Sequence, residues 1–584
     1  MSYSHLESFP PKLPGRDYLY QPFTTEEWNA SSFATEENLQ WFRDARYGMF
    51  IHFGLSTYQN GDLSWDICHT RKAPDFGNGP FADEEWTSWG NHFELEKFDA
   101  DEYVDLAKRA GFKYVVVVAK HHDGFHMWDT EQSDFKITNT PFGRDFVKEI
   151  IEACQKASMP VGLYYSQRDW YHPDYMPVDP EKIERQTSVN WTLKEGIESP
   201  VGNEHWKYIA YQENVVRELC TRYGKLDIFW WDALWWGGMF TADMWDAEKV
   251  NRLVRELQPN IIINNRCSIP GDFDTPEKRL GAFQNWRPWE SCVCLTDSWS
   301  YSGTPVKPLK DLVAMLTMTI CGDGNLLMSW GPHWDGEFDK AEVEALLEMG
   351  DWLGKHEDAI YGTRGGPWKP GTWGGSVYRD KSIYLHIISI VGNKLELPKL
   401  PQTKIEKATI FNSEAELEIR ETENSIVIVI PDEFKCSPSL ILNLQVDRLV
   451  KQIKPLDSAP PSPFMDICAY GYKYDGDVSI THGSTINNRE PWVLLDFDKV
   501  IKLTALVLDL NKVADSQEIV LLTSKDGNDW TDWGKVNTSR CEIEITCYES
   551  GAWIPGNDVR FVKLQSKLDI STPITLNDVT CFSR

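Results

Sequence analysis

The chain has 584 residues, more than a single hydrophobic core usually fills, so its length predicts two to four domains. Hydrophobic residues make up 41% and charged residues 25%, a balance typical of a globular protein. The formal net charge of −29 argues against nucleic-acid binding, which depends on cations that neutralise phosphates. A neutral ligand fits better. The 26 Trp and 22 Tyr residues favour carbohydrate, because aromatic faces stack on sugars, although they also fill a large core.

Strand-like and helix-like segments alternate from about residue 40 to residue 370. Such alternation indicates βαβ units and a parallel sheet. We predict a (β/α)8-like barrel over residues 1–370, because polar residues follow several strands and the loops of a barrel share one face. A doubly wound open sheet is the alternative, but no glycine-rich nucleotide motif follows any strand. The predicted strands are 47–54, 113–125, 160–166, 226–232, 260–266, 283–290 and 324–330, and the predicted helices are 98–111, 146–157, 208–223 and 247–257.

The pattern changes near residue 370, where glycine and proline become frequent and short alternating strands follow. These strands predict a small antiparallel β domain over residues 371–450. A proline-rich stretch near residue 460 marks a second boundary, beyond which further strand-like segments predict a β-sandwich over residues 460–584.

The 12 cysteines are scattered, and the pair Cys292 and Cys294 has no matching pair at metal-site spacing. Buried free thiols are the better interpretation, and they favour a reducing compartment. No signal peptide is visible and no apolar stretch is long enough to span a bilayer. We therefore expect a cytoplasmic protein that binds no membrane, or a periplasmic or secreted one whose signal has been removed.

Asp232 ends the apolar, tryptophan-rich strand 226–232, at the place where barrels put their chemistry. On this segment alone, a core strand followed by a solvated Asp is an equal alternative. Two carboxylates at one barrel mouth suffice for glycoside hydrolysis. Glu290 is the second candidate, because it ends segment 283–290 and its tryptophan neighbours would raise its carboxyl pKa, as an acid requires. Glu277, in the preceding loop, is the alternative, and taken alone a Glu beside a Trp is more often a surface residue.

His121 and His122 follow the strand that begins near residue 113. Consecutive residues of a strand point to opposite faces, so the two rings would not share a metal unless the strand had already ended. No second cluster has ligand spacing. We therefore predict no metal, and interpret these histidines as donors to sugar hydroxyls or as core residues.

Seven motifs follow one another along the chain: Arg46–Gly54, Ala119–Asp129, Gly162–Ser166, Phe229–Asp232, Gly271–Glu277, Trp289–Cys292 with Ser298–Tyr301, and Gly324–Pro332. In this order they resemble those of the α-L-fucosidases of glycoside hydrolase family 29. The resemblance covers about residues 40–370 and implies an often irregular barrel, a retaining double displacement, no catalytic cofactor, and a fucosylated oligosaccharide or glycoconjugate as substrate.

By this resemblance Asp232 is expected to be the nucleophile and Glu290 the acid/base, with Glu277 as the alternative. The expected ligands of the fucose hydroxyls are His52, His121, His122 and Tyr165, and the expected pocket walls are Trp65 and Trp299. Arg266 is added because of its place at a strand end.

Two residues depart from the family pattern: Ser64 stands where an acidic residue is frequent, and Ala233 follows the nucleophile where glycine is common. Both leave open a related L-sugar such as L-galactose, and a non-catalytic carbohydrate-binding protein is the alternative from another class. The last region resembles discoidin-like or galactose-binding-like modules in Trp492–Phe497, Ser524–Trp530 and Arg560–Leu564. That looser resemblance implies carbohydrate binding and allows a structural calcium ion, with a packing role as an equal alternative.

Overall fold

The computed structural model describes residues 31–66, 81–175, 205–232 and 242–458, apart from 278–279, 281–282, 286, 372, 389–392, 414, 432–437 and 457. Farther along it describes residues 472–473, 478–484, 491–510, 518–537, 542–546, 548–549, 552–553, 557–566 and 576–583. The chain divides into two compact units, Met1–Pro463 and Phe464–Arg584. Among the described residues, no helix combines the length and the apolar character needed to cross a membrane.

Seven parallel strands form the sheet of the first unit, in the order β5-β4-β3-β2-β1-β7-β6. They are β1 Tyr47–Ile51, β2 Tyr114–Lys120, β3 Val161–Ser166, β4 Ile228–Asp232, β5 Ile262–Ile263, β6 Glu290–Cys294 and β7 Asn325–Trp330. The α-helices among the described residues of this region are α1 Glu36–Ala45, α2 Asp83–Ser88, α3 Ala100–Arg109, α4 Phe146–Lys156, α5 His205–Arg222, α6 Ala242–Trp245, α7 Ala247–Leu257, α8 Leu309–Cys321 and α9 Lys340–His356.

Residues 273–277 connect the two edge strands of this sheet, and we call them the closing segment. Phe273 forms a parallel bridge to Asn264, just beyond β5, and Glu277 forms one to Cys292 of β6. The backbone of Glu290 donates to the carbonyl of Asp274 over 2.8 Å. The segment therefore takes the place of an eighth strand, and the predicted barrel-like fold is confirmed.

Helix α1 lies at the amino ends of the strands. Thr35 caps it by accepting from the backbone of Asn38 at 3.2 Å, and two glutamates in its first turn suit the helix dipole. The ring of Phe42 packs 4.8 Å from that of Phe273 and 5.7 Å from that of Tyr114. Asn325, the first residue of β7, donates to the carbonyl of Phe42. The opposite, carboxyl end of the barrel is the end at which the polar residues gather.

Two antiparallel sheets follow the barrel within the first unit, in the orders β12-β15-β10-β9-β8 and β11-β14-β13, and share one apolar core. Their strands are β8 Arg364–Gly365, β9 Gly374–Arg379, β10 Ser382–Ile387, β11 Lys394–Pro398, β12 Ile405–Ile410, β13 Glu418–Glu421, β14 Ser425–Val429 and β15 Leu440–Val446.

In its described part, the second unit contains an antiparallel sheet of eight strands and a two-stranded pair. Its strands are β16 Tyr472–Lys473, β17 Ser479–Ser484, β18 Pro491–Leu510, β19 Glu518–Ser524, β20 Thr531–Asn537, β21 Glu542–Thr546, β22 Tyr548–Glu549, β23 Ala552–Trp553, β24 Asn557–Ser566 and β25 Leu576–Ser583. The three predicted domain ranges stay a prediction.

Candidate active site

Asp232 is the last residue of β4 and is largely buried, with 7% of its surface exposed. The hydroxyl of Tyr164 donates to its Oδ2 over 2.7 Å, and Nη1 of Arg266 donates to its Oδ1 over 3.1 Å. Nη2 of Arg168 and Nε2 of His122 lie 3.8 and 3.7 Å from Oδ2. Donors and cations thus hold this carboxylate in one orientation at the carboxyl end of the barrel.

Arg266 joins two carboxylates with one nitrogen. Its Nη1 contacts Oδ1 of Asp232 at 3.1 Å and Oε2 of Glu277 at 2.9 Å, so these two oxygens are no more than about 6 Å apart. Burial disfavours the guanidinium charge, but Glu277 and Asp232 outweigh that cost, and the pKa of Arg266 is raised above its usual value. Thr275 fixes the same side chain through its hydroxyl and its carbonyl. Arg266 is therefore a permanent cation between two acids.

Three histidines line the same end of the barrel, each oriented by a serine hydroxyl. Nδ1 of His52 lies 2.7 Å from Oγ of Ser329, and the same atom of His121 lies 2.6 Å from Oγ of Ser64. Nδ1 of His122 lies 2.6 Å from Oγ of Ser166. Burial lowers the pKa of all three rings well below 6.5, so they are neutral at neutral pH. Neutral rings can donate to sugar hydroxyls or accept from them.

His121 and His122 lie just beyond β2, which ends at Lys120, so the alternation of a strand does not separate them. Their ring centroids are 3.9 Å apart. One ligand atom each from His121, His122 and Asp232 lies within 4.8 Å of the others, a spacing that could hold a metal ion. Because Arg266 and Arg168 already surround Asp232 with positive charge, binding of a metal cation there is disfavoured. The absence of a catalytic metal stays a prediction.

Tyr164, and not the predicted Tyr165, reaches the site. Successive side chains of β3 point to opposite faces, and the hydroxyl of Tyr164 contacts Asp232 inside the barrel. Tyr165 is buried on the other face, where Lys120 lies 4.8 Å from its ring centroid and Trp231 packs edge-on at 6.0 Å. The predicted Tyr165 ligand is thus wrong by one residue.

Trp299 meets the site beside His52, with the two ring centroids 5.4 Å apart. It is partly exposed, as a pocket wall must be. Trp65 lies in the short helical turn Leu63–Asp66, but its side chain is outside the described part of the structure. Its predicted role stays a prediction.

Glu290 does not end a strand, as predicted, but begins β6 at the amino end of the barrel. It is completely buried, and it accepts hydrogen bonds from the hydroxyl of Tyr114 and, over 2.9 Å, from Nε1 of Trp230. Burial raises its pKa to about 7. The raised pKa that the sequence suggested is present, but the expected position at the substrate face is wrong, because the apolar residues of this strand follow Glu290 instead of preceding it.

Two groups of residues were not predicted in the roles that the structure gives them. Tyr164 and Arg168 contact or approach Asp232, and Ser64, Ser166 and Ser329 orient the histidines. Arg168 follows β3 as Asp232 ends β4, so its place just beyond a strand is a signal that could have identified it. Ser166 ends β3 and so carries the same signal. Ser64 stands out in the sequence only as a departure from the family pattern, and the role of Ser329 arises only from a contact distant in sequence.

Comparisons with known proteins agree with one another. The family model for Alpha-L-fucosidase matches residues 20–358. The chain is similar to an α-L-fucosidase from Dictyostelium discoideum, with 25% identity over 358 residues, covering 56% of this chain and 72% of that protein. It is also similar in structure to α-L-fucosidase isoenzyme 1 from Paenibacillus thiaminolyticus, with 29% identity and a TM-score of 0.60, covering 70% of this chain and 99% of that one.

A family 29 α-L-fucosidase from Bacteroides thetaiotaomicron, trapped as a covalent intermediate with 2-fluoro-fucosyl fluoride, has the same fold. The identity is 22% and the TM-score 0.60, over 71% of this chain and 97% of that one.

Proposed function

We propose that this chain, which belongs to the α-L-fucosidase family, uses Asp232 as its nucleophile and Glu277 as its acid/base. Enzymes of this family are glycoside hydrolases that act on fucosylated glycans and need no catalytic cofactor. The chain is accordingly an α-L-fucosidase, and retention of anomeric configuration fits its family. The proposed roles and an exo-acting preference for terminal residues go beyond that conclusion.

The observation that carries the proposal is the nitrogen shared by Asp232 and Glu277, which keeps their oxygens within about 6 Å. Carboxyl pairs of retaining glycosidases are about 5–5.5 Å apart, whereas inverting enzymes need about 6.5–9.5 Å to admit a water molecule. The side chains of Asp232 and Glu277 are 10% and 19% exposed, so a substrate can reach both. Glu290, with no exposed surface, cannot protonate a leaving group directly.

In the first step, Oδ1 or Oδ2 of Asp232 attacks the anomeric carbon and forms an ester with the sugar. The bond to the leaving oxygen breaks as Glu277 gives that oxygen its proton. Arg266 contacts both acids. Its charge therefore stabilises the Asp232 carboxylate before the attack and the Glu277 carboxylate after Glu277 has given up its proton. The hydroxyl of Tyr164 orients the attacking carboxylate.

In the second step, Glu277 takes a proton from water, which attacks the same carbon and releases Asp232. Two displacements on one carbon restore the original configuration. His52, His121 and His122 are proposed to bind the sugar hydroxyls, and Trp299 is proposed to stack on the ring.

Asp232→Gly tests the nucleophile. We expect turnover of an aryl α-L-fucoside to fall by at least about a thousandfold, while added azide fills the space of the lost carboxylate and yields β-L-fucosyl azide. Near-normal hydrolysis by this variant, with its thermal unfolding unchanged, would contradict the assignment.

The choice of sugar is a further proposal. Ser64, which replaces a frequent acidic residue, contacts His121 and accepts from the backbone of Asp123 at 2.9 Å. A hydroxyl thus supports the histidine where a carboxylate is common. We propose fucose as the sugar because the family acts on it, with L-galactose as the alternative because of this replacement. Comparing kcat/KM for the aryl α-L-fucoside and the aryl α-L-galactoside decides between the two.

The second unit is proposed to bind carbohydrate and to hold a structural calcium ion. Glycan-array binding by the full chain tests the first role, and the change of the melting temperature on adding EDTA and then calcium tests the second. A cytoplasmic location also remains a proposal, which fractionation of the source cells would test.

A further inference from the structure

Glu290 lies at the amino end of the barrel, in register with Asn325 on the neighbouring strand β7. Its two oxygens accept from different strands: Oε1 from Nε1 of Trp230 on β4 and Oε2 from the hydroxyl of Tyr114 on β2. Gly48 on β1 makes room for Tyr114, because a Cβ at that position would lie 2.3 Å from the tyrosine ring. The fold therefore provides specific hydrogen-bond partners for this carboxyl inside the barrel, and the proposed reaction does not use it.

The indole of Trp230 connects this site to the catalytic end. Its N–H points to Glu290, and the guanidinium carbon of Arg266 lies 4.7 Å from its ring centroid. A cation over an indole is attracted by the negative face of the ring. Arg266 is also the group that joins Asp232 and Glu277. One aromatic side chain thus separates the buried acid from the catalytic pair.

We propose that Glu290 is a positioning residue of the hydrolase, which fixes Trp230 beneath Arg266 and adds a negative charge behind that cation. The inference rests on the proposed roles of Asp232 and Glu277. Glu290 cannot touch the substrate, but it would influence the proton of Glu277, which does.

The charges around Glu290 support this influence. Burial raises its pKa to about 7, against the hydrogen bonds of Tyr114 and Trp230 and the charge of Arg266. Tyr114 on β2 and Cys292 on β6 are neutral, since burial raises both of their pKa values. Asp274 of the closing segment is paired with Arg287 at 2.9 Å. Arg266, although it is paired with Asp232 and Glu277, is therefore the cation whose charge acts on Glu290 from these elements.

An ionised Glu290 weakens the positive field that Arg266 exerts on Glu277, and so helps Glu277 to keep its proton. Removing that charge leaves the field of Arg266 at Glu277 stronger, which favours the carboxylate over the acid. The basic limb of the kcat/KM profile reports the acid of the free enzyme, so it should move toward lower pH.

The substitution Glu290→Gln isolates the charge. The amide oxygen can accept from Trp230, and the amide nitrogen can donate to the Tyr114 oxygen after its hydroxyl rotates, so neither partner is abandoned. We expect the basic limb to move down by about half a pH unit or more, kcat at pH 7 to fall about three- to tenfold, and KM to change less than twofold.

Tyr103→Phe is the matched control, since it removes another buried hydrogen bond of the same unit, from a hydroxyl on helix α3 to the Gly336 carbonyl. It should lower the melting temperature without moving the pH profile. If the profile of Glu290→Gln coincides with that of the wild type, or if both variants shift equally, the proposed role of Glu290 is wrong.

Tyr114→Phe serves if Glu290→Gln does not fold. Losing a bond that favours the ionised carboxyl raises the pKa of Glu290, so the basic limb should again move down, by a smaller amount, and an unmoved limb would overturn the inference.

A third result separates this inference from the proposed function. If Glu290→Gln abolishes turnover and azide yields α-L-fucosyl azide, Glu290 is itself the acid/base, and both proposals fall. An active Glu290→Gln with an unmoved limb overturns the inference alone, provided that Asp232→Gly and Glu277→Ala are inactive.

Discussion

Glu277 and Glu290 lie on adjacent segments of the same barrel wall but in opposite environments. Glu277, at the carboxyl end, is 19% exposed and contacts the guanidinium of Arg266. Glu290, at the amino end, has no exposed surface, and the donors that its carboxyl contacts in the described part of the chain, Tyr114 and Trp230, are uncharged. A carboxyl that exchanges protons with a substrate must be reachable, whereas an enclosed carboxyl acts through its neighbours. Accessibility thus distinguishes the two glutamates better than a raised pKa does.

The largest difference between these glutamates should appear with a poor leaving group. Glu277→Ala removes the proton donor, so hydrolysis of a fucosyl disaccharide should fall by about a thousandfold, and that of a dinitrophenyl fucoside far less. Glu290→Gln acts through the proton of that donor, so it should slow the disaccharide by at most about tenfold and the dinitrophenyl fucoside by less. Steady-state kinetics with the two substrates measures the contrast, and a larger leaving-group dependence in Glu290→Gln than in Glu277→Ala would reverse the assignment.

The next effect concerns the cation between the two acids. Arg266→Lys keeps the charge but cannot hold Asp232, Glu277 and Thr275 together, and kcat/KM should fall about a hundredfold. Arg255→Lys is the matched control, because Arg255 also pairs with a buried acid, Asp272, at 2.7 Å but touches neither proposed catalytic residue. Equal losses of activity in the two variants would mean that Arg266 is only structural.

A smaller effect should separate the two tyrosines of β3. Tyr164→Phe removes a hydrogen bond to a charged carboxylate and should lower kcat about tenfold. Tyr165→Phe, on the opposite face, should leave both kcat and KM within about twofold of the wild type. Steady-state kinetics of the two variants tests this, and a larger effect of Tyr165→Phe would contradict the prediction.

The smallest effect is on stability. The pKa of Glu290 rises from 4.5 to about 7 on folding, so its protonation stabilises the fold fully below pH 4.5, and this contribution is lost as the pH rises to 7. Glu290→Gln lacks it, so the melting temperature of the wild type should decline by about 3 °C relative to the variant over that window. His126, whose pKa is lowered to about 4 by burial, destabilises the fold at acidic pH in both proteins and cancels in the difference.

The sequence predicted the barrel and the position of Asp232, because an apolar run ending in a carboxylate is a local pattern. Arg266 was found for the same reason. Tyr165 was wrong because the choice between adjacent residues of a strand depends on which face turns inward. Glu290 was chosen over Glu277 because aromatic neighbours indicated a raised pKa but not which end of β6 the residue occupies. The link from Glu290 to Arg266 depends on ring positions, which no local pattern encodes.

The closing segment gives the two proposed catalytic acids unequal mechanical support. Asp232 ends a strand paired along its length with β3, whereas Glu277 is held by a segment whose pairing consists of isolated bridges. An insertion or deletion between β5 and β6 would therefore displace the acid while the nucleophile kept its place. The leaving-group side of the site is thus the part that a change in loop length can most readily adapt to a different glycan.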